Sequence, residues 1–171
     1  MIPGSDKGVA YQNKANHYRL QLPPTLQASV RITAGDAWVA HSLKGAGGKV
    51  SAKGAIGNYP DAPPALDVTY EASNDLVKET VTLRNATTPH AVTYQLQLSP
   101  ALTSSINATG GLDVGDEKGQ VLFSLEKPFM VDAAGVPFNA VSPSLDQASA
   151  GKTFTATADP AWLIPPGRTR S

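Results

Sequence analysis

The sequence contains no cysteine, and this absence excludes several kinds of chemistry. Without cysteine the chain can form no disulfide, has no thiolate nucleophile and cannot build a zinc site on thiolate ligands. Disulfides are not needed for stability, because 171 residues are enough to bury the hydrophobic core of one domain. The lack of cysteine therefore excludes thiol chemistry and leaves the cellular compartment open.

An excess of charge of either sign is also absent, since 14 basic residues balance 14 acidic residues. A strong positive charge is the usual mark of proteins that bind nucleic acid or anionic membranes. No apolar run approaches the ~20 residues that span a bilayer, and residues 1–6 lack the basic and apolar regions of a signal peptide. We therefore predict no nucleic-acid partner and no membrane insertion.

Three consecutive segments between residues 66 and 98 alternate apolar and polar residues, as β-strands with one buried face do. Turn-forming residues separate them at 73–75 and 85–89. This pattern predicts an antiparallel meander with one buried and one solvated face. The residues expected in the core are Tyr70, Val81, Leu83, Tyr94, Leu96 and Phe123.

The rest of the chain repeats this pattern in shorter pieces. Glycine and proline number 15 and 14 residues, because many short strands need many turns, and no window shows helical periodicity. We predict an all-β fold, an antiparallel β-sandwich-like module of about nine to eleven short strands with little helix.

The predicted organisation has three parts. Residues 1–16 are polar and show no alternation, so we expect a loose lead-in there. A single domain is expected over residues 17–164. Residues 165–171 begin with two prolines and cannot supply a strand, which predicts a tail truncated before a final strand.

The residue types that carry chemistry are scattered and match no motif. His17, His41 and His90 lie in separate segments, so a zinc site is not expected. An acidic group near a glycine turn could hold calcium but lacks the spacing of a calcium loop, which favours a solvated hairpin tip. This group consists of Asp113, Asp116 and Glu117. We predict no catalytic residue, no cofactor and no metal site, and therefore no enzyme.

Two further patterns have a structural and a functional interpretation. Exposed aromatic residues could stack on sugar rings, although their place on the apolar side of the strands favours core packing. These residues are Trp38, Tyr59, Tyr70, Tyr94 and Trp162. The triplets that begin at Asn85 and Asn107 match the acceptor for N-glycosylation, but such triplets are common in turns.

Glu79 breaks the alternation of its own strand. It occupies the apolar side of the segment from Val77 to Leu83, where a carboxylate would face the core. It is either a carboxylate with a tuned pKa or a structural anchor bonded to a loop or to an arginine. We favour the anchor and expect Glu79 to be hydrogen-bonded near a strand end.

Several motifs follow one another in an order that resembles a known family. They are YPDAPPALD at residues 59–67, VTY at 68–70, LVKETVTL at 76–83, YQLQL at 94–98, GQVLFSLEKPFMVDAAG at 119–135 and AWL at 161–163. This series resembles a β-rich module of secreted bacterial proteins with RHS/YD repeats, which include wall-associated and polymorphic-toxin-like proteins, and of proteins with DNRLRE-type domains.

The resemblance implies a non-catalytic structural module of a large secreted or cell-surface protein, whose partners are other domains of that protein. The alternative is a carbohydrate-binding module for glycans of the cell wall or of a host, which an exposed aromatic row would favour. A glycan hydrolase would require two carboxylates that converge in a cleft. The family assigns no catalytic residues, so none are transferred to this chain.

Overall fold

The computed structural model describes residues 1–14, 16–43, 47–62, 65–85, 90–132, 134–147 and 151–163. Within these ranges the chain forms 17 β-strands and one 3-10 helix, Pro160–Leu163. The strand pairs whose register is given are all antiparallel, so the predicted all-β antiparallel class is confirmed. More strands are present than predicted because several have only two to four residues, too few to show alternation.

The strands are β1 Ile2–Pro3, β2 Tyr11–Gln12, β3 Arg19–Leu22, β4 Val30–Ala34, β5 Ala37–Leu43, β6 Ser51–Lys53, β7 Ile56–Tyr59, β8 Leu66–Ala72, β9 Val77–Leu83, β10 Ala91–Leu98, β11 Thr103–Ile106, β12 Leu112–Gly115, β13 Val121–Leu125, β14 Met130–Val131, β15 Pro137–Phe138, β16 Val141–Asp146 and β17 Lys152–Ala158.

The chain groups into two compact units. Unit 1 consists of Met1–Thr88 and Tyr94–Ala101, and unit 2 of Pro89–Thr93 and Leu102–Ser171. This division differs from the single domain predicted over residues 17–164. The difference arises because the strands after β10 pair mainly with one another, a property that alternation within single strands cannot reveal.

Unit 1 contains two sheets whose apolar faces form a common core. One sheet has the order β1-β2-β3-β4-β5 followed by the Tyr94–Leu98 part of β10, and the other has the order β6-β7-β8-β9. The side chains that are almost completely buried are Leu20, Leu22, Leu26, Val30, Tyr59, Val68 and Tyr70. The sheets approach closely at Gly57, where an added Cβ would lie 2.2 Å from Cδ1 of Leu22.

The predicted core is only partly confirmed. Tyr70 is 1% exposed, whereas Val81, Leu83, Tyr94, Leu96 and Phe123 are half-buried. One reason is that β9 is the last strand of its sheet, so its inward residues have a neighbouring strand on one side only. The deepest core instead comes from β3, β4, β7 and β8.

The predicted loose lead-in over residues 1–16 contains two short strands, β1 and β2. Strand β1 pairs with β2, and β2 pairs with β3. Asn13 is buried; its Oδ1 accepts a hydrogen bond from the Leu20 N–H, and its Nδ2 donates to the Tyr18 carbonyl. Two-residue strands and a single buried amide leave no periodic pattern, which explains why the sequence predicted no structure here.

Unit 2 contains the sheet β11-β12-β13, the hairpin β14-β15, and the pair β16-β17, with the first three residues of β10 beside β17. The predicted tail over residues 165–171 lies outside the described residues. No helix in the described part of the chain is long and apolar enough to cross a membrane.

Three hairpin loops of unit 2 share one construction. Each begins with Asn107, Asp116 or Asp132, whose side-chain Oδ1 accepts hydrogen bonds from the N–H groups two and four residues later, at 2.8 to 3.1 Å. The residue three positions later is always glycine, with φ of 81° to 87°. Glycine adopts this left-handed conformation without steric cost, so the pattern of Asn or Asp followed three residues later by Gly specifies the turn.

Candidate functional site

Four polar side chains meet between the two sheets of unit 1. His41 on β5 and Tyr94 on β10 belong to one sheet, where the register pairs His41 with Leu96 and Tyr94 with Leu43. Tyr70 on β8 and Glu79 on β9 lie directly opposite each other in the other sheet. We call His41, Tyr70, Glu79 and Tyr94 the polar cluster.

Hydrogen bonds connect the two halves of the polar cluster. The Tyr94 hydroxyl donates to Glu79 Oε1 at 2.5 Å. His41 Nε2 lies 3.3 Å from Glu79 Oε2 and 2.9 Å from the Tyr70 hydroxyl. The His41 ring also meets the Tyr94 ring edge to face, with the centroids 5.6 Å apart. Each bond from Glu79 to His41 or Tyr94 therefore joins one sheet to the other.

The surroundings of Glu79 favour its charged form. Burial alone would raise the pKa of Glu79, but the hydrogen bond and positive charge of His41, with the hydroxyls of Tyr94 and Tyr70, outweigh burial and lower it. Burial, followed by the nearby Glu79 charge, raises the pKa of both Tyr70 and Tyr94 well above the ordinary value. The cluster thus holds one carboxylate among neutral phenols.

An acid and a base in contact are the components of general acid–base catalysis. In this cluster, however, the side chains of His41 and Glu79 are only 14% and 21% exposed. Both carboxylate oxygens of Glu79 already have a partner within the cluster. The geometry is that of a satisfied polar link between two sheets.

The prediction for Glu79 is correct in one respect and wrong in two. Glu79 is hydrogen-bonded, as predicted, but it lies inside β9, between Lys78 and Thr80, and not near the strand end. Its partners are a histidine and a tyrosine of the facing sheet, and neither a loop nor an arginine. The predicted partners were wrong because the packing of one sheet on another determines which side chains face Glu79.

The three histidines are in different surroundings. His41 belongs to the polar cluster, whereas His17 and His90 are exposed. In the described ranges, no three or more histidine or acidic side chains are grouped so that they could hold a metal ion.

The acidic residues considered for calcium organise hairpins instead. Asp113 Oδ1 accepts hydrogen bonds from Ser124 Oγ at 2.6 Å and from Asn107 Nδ2 at 3.0 Å, and these bonds lower the pKa of Asp113. Asp116 forms the turn described above, and Glu117 is exposed beside it. The sequence signal for the turn at Asp116 is the glycine three residues later, Gly119.

The aromatic residues considered for sugar stacking have different environments. Tyr59 and Tyr70 are buried, and the Tyr59 hydroxyl donates to the Pro23 carbonyl. Trp38 is half-buried, with the Arg31 guanidinium 4.1 Å from its ring centroid. The side chain of Trp162 lies outside the described residues.

The two glycosylation triplets differ in how much of them is described. The Asn107 amide already donates to Asp113 and is half-buried, which disfavours a sugar there. The triplet that begins at Asn85 continues into residues outside the described ranges.

Comparison with known proteins gives three relatives of equal similarity. The chain is 32% identical over 117 residues to the tRNA nuclease WapA of Bacillus subtilis strain 168, the tRNA(Glu)-specific nuclease WapA of B. subtilis subsp. natto and the tRNA3(Ser)-specific nuclease WapA of Bacillus spizizenii. The match covers 64% of this chain and 5% of each relative, so the chain spans a small part of their length. No family model and no solved structure matches the chain.

These relatives correct four expectations drawn from the sequence. The assignment to RHS/YD-repeat and DNRLRE-domain proteins is wrong, because the relatives found are named as tRNA nucleases. The same names contradict the non-catalytic or carbohydrate-binding role, the absence of an enzyme and the absence of a nucleic-acid partner. The balance of 14 basic and 14 acidic residues was a poor guide because it describes this chain alone, and the match covers only 5% of each relative.

Proposed function

We propose that this chain is part of a larger bacterial protein that cleaves tRNA. The observation that carries the proposal is the 32% identity over 117 residues to three proteins named as tRNA nucleases. Because the match covers 5% of those proteins, the activity is proposed for the larger protein and is assigned to no residue of this chain. A toxin-like role and a location at the cell surface or outside the cell belong to the same proposal.

In this proposal the polar cluster has a structural role. Cleavage of a phosphodiester by acid–base chemistry needs a base and an acid that can reach the reacting oxygens. His41 and Glu79 have suitable chemistry, but they are largely buried and bonded to each other and to tyrosines. We therefore assign the polar cluster to the stability of unit 1 and not to the cleavage of tRNA.

The direct test is incubation of the larger protein with purified tRNA, with ribosomal RNA and duplex DNA as controls. Fragments are separated on a denaturing gel. The proposal predicts that tRNA is cut while duplex DNA stays intact. Intact tRNA after incubation with protein that circular dichroism shows to be folded would contradict the proposal.

A further inference from the structure

Arg19, Thr33 and Trp38 form a row across three strands of unit 1. The register pairs Arg19 of β3 with Thr33 of β4, and Thr33 with Trp38 of β5. Residues directly opposite each other on neighbouring strands share one face of the sheet. Leu20, the neighbour of Arg19, is fully buried in the core. Because successive side chains of a strand point to opposite faces, the row lies on the face turned away from the core, which we call the outer face.

The outer face also carries a guanidinium beside an aromatic ring. Arg31 lies two residues before Thr33 on β4 and therefore shares this face. Its guanidinium carbon is 4.1 Å from the centroid of the Trp38 ring, and both residues are half-buried. Nucleic-acid bases stack on aromatic rings and on guanidinium planes. The Arg31–Trp38 pair is therefore a stacking surface that carries a positive charge.

A groove of about 440 Å³ adjoins the row at Arg19 and Thr33. Lys14 and His17 also line it, and none of its lining residues in the described part of the chain is acidic. Lysine, arginine and histidine side chains can all donate hydrogen bonds to phosphate oxygens. The lining of the groove is therefore suited to a phosphodiester backbone.

Hydrogen bonds to the turn between β8 and β9 hold one wall of this groove. Asn16 and Tyr18 both line the groove. Asn16 Nδ2 and the Tyr18 hydroxyl each lie 2.6 Å from the carbonyl oxygen of Ser73. A wall that is fixed before binding loses less conformational entropy when a ligand binds.

The acidic residues of this region leave Arg19 accessible. Asp6 Oδ2 lies 3.9 Å from Arg19 Nη1, and the two side chains are 52% and 60% exposed. An exposed ion pair at this distance contributes little free energy. The same oxygen of Asp6 accepts a hydrogen bond from Gln21 Nε2 at 2.6 Å, and Asp36 is exposed on the turn between β4 and β5. Arg19 can therefore exchange Asp6 for a phosphate at small cost.

We propose that the outer face binds single-stranded RNA, with the phosphodiester backbone in the groove and a base stacked on the Arg31–Trp38 pair. This inference rests on the proposed function, which gives the larger protein an RNA substrate. A cationic groove beside aromatic side chains is the usual construction of sites that bind single strands without sequence preference. The loops of a folded RNA supply such strands.

Fluorescence anisotropy of a labelled single-stranded RNA of about 10 nucleotides tests the inference. The RNA is titrated with the 171-residue chain at salt concentrations from about 0.05 to 0.2 M. Trp38→Leu should lower the association constant at least about fivefold, as expected for the loss of one stacked base. Arg19→Gln should weaken binding and reduce the slope of log K against log salt by about 0.7, the loss of one phosphate contact. Circular dichroism verifies that each variant is folded.

Lys78→Gln is the matched control for Arg19→Gln. It removes one positive charge from an exposed residue of β9, which belongs to the other sheet of unit 1. The association constant should change by less than about twofold, because charges farther apart than about 10 Å are largely screened at 0.1 M salt.

Three results would overturn the inference. They are a chain that does not bind the RNA, equal losses from Arg19→Gln and Lys78→Gln, and displacement of the RNA by an equal concentration of inorganic phosphate, which would indicate a site for a single anion. The outcome is independent of the proposed function. If the larger protein cleaves tRNA but the chain binds no RNA, only this inference fails; if the chain binds RNA as described but the larger protein cleaves no tRNA, only the proposed function fails.

Discussion

At the scale of the residue, Glu79 shows how a carboxylate is kept charged in a protein interior. Burial disfavours the charge, but His41 and the Tyr94 hydroxyl offset this cost through charge-assisted hydrogen bonds. Such bonds are worth about 1.5 to 3 kcal/mol each when they are formed to a charged group. The polar cluster therefore stabilises the contact between the sheets of unit 1 most strongly while Glu79 is ionised.

The first consequence is a dependence of stability on acid pH. Because the pKa of Glu79 is lower in the folded state than its ordinary value of 4.5, its contribution is present above pH 4.5 and is lost as the pH falls through the folded-state pKa. We expect the free energy of unfolding of the wild-type chain to fall more steeply below pH 4.5 than that of Glu79→Gln. Urea unfolding at a series of pH values measures this difference.

The matched control for this experiment is Glu71→Gln. Glu71 lies on β8, is exposed and does not belong to the polar cluster, so the contribution of Glu79 should persist after its replacement. Parallel pH profiles of the wild-type chain and Glu79→Gln would mean that the polar cluster does not stabilise the charged carboxylate.

At the scale of the element, strands were predictable where they are long. The segments predicted between residues 66 and 98 correspond to β8, β9 and β10, because seven or eight residues display alternation without reference to a partner. Strands β1, β2, β14 and β15 have two residues each and are defined by the strands they pair with. The hairpin loops of unit 2 are short, but they could be predicted because their Asn/Asp-to-Gly spacing is visible in the sequence.

The shared loop construction predicts unequal effects for neighbouring acidic residues. Asp116→Ala removes the acceptor for the N–H groups of Lys118 and Gln120 and should lower the free energy of unfolding by about 1 kcal/mol. Glu117→Ala, one residue later, should change it by less than about 0.5 kcal/mol because Glu117 is exposed. Thermal and urea unfolding of both variants give the comparison, and equal losses would contradict the loop assignment.

At the scale of the whole molecule, the all-β class followed from the sequence, but the two units and the polar cluster did not. His41 and Glu79 are far apart in the chain, and their contact depends on how one sheet packs on the other. The sequence marked Glu79 as an exception but could not identify its partners. Function was less predictable still, because the charge and motifs of this chain did not indicate the activity named for its relatives, of which the match covers 5%.

Two proposals are linked: we propose that the larger protein cleaves tRNA, and that the polar cluster supports the fold and does not react with the substrate. The rate of tRNA cleavage by the larger protein, with and without Glu79→Gln, tests both most directly when melting curves of the 171-residue chain are recorded in parallel. We predict a melting temperature lower by about 2 to 4 °C for each kcal/mol lost, with cleavage rates equal within about twofold for the folded proteins. Loss of cleavage with an unchanged melting temperature, or no cleavage by the wild-type protein, would contradict the account.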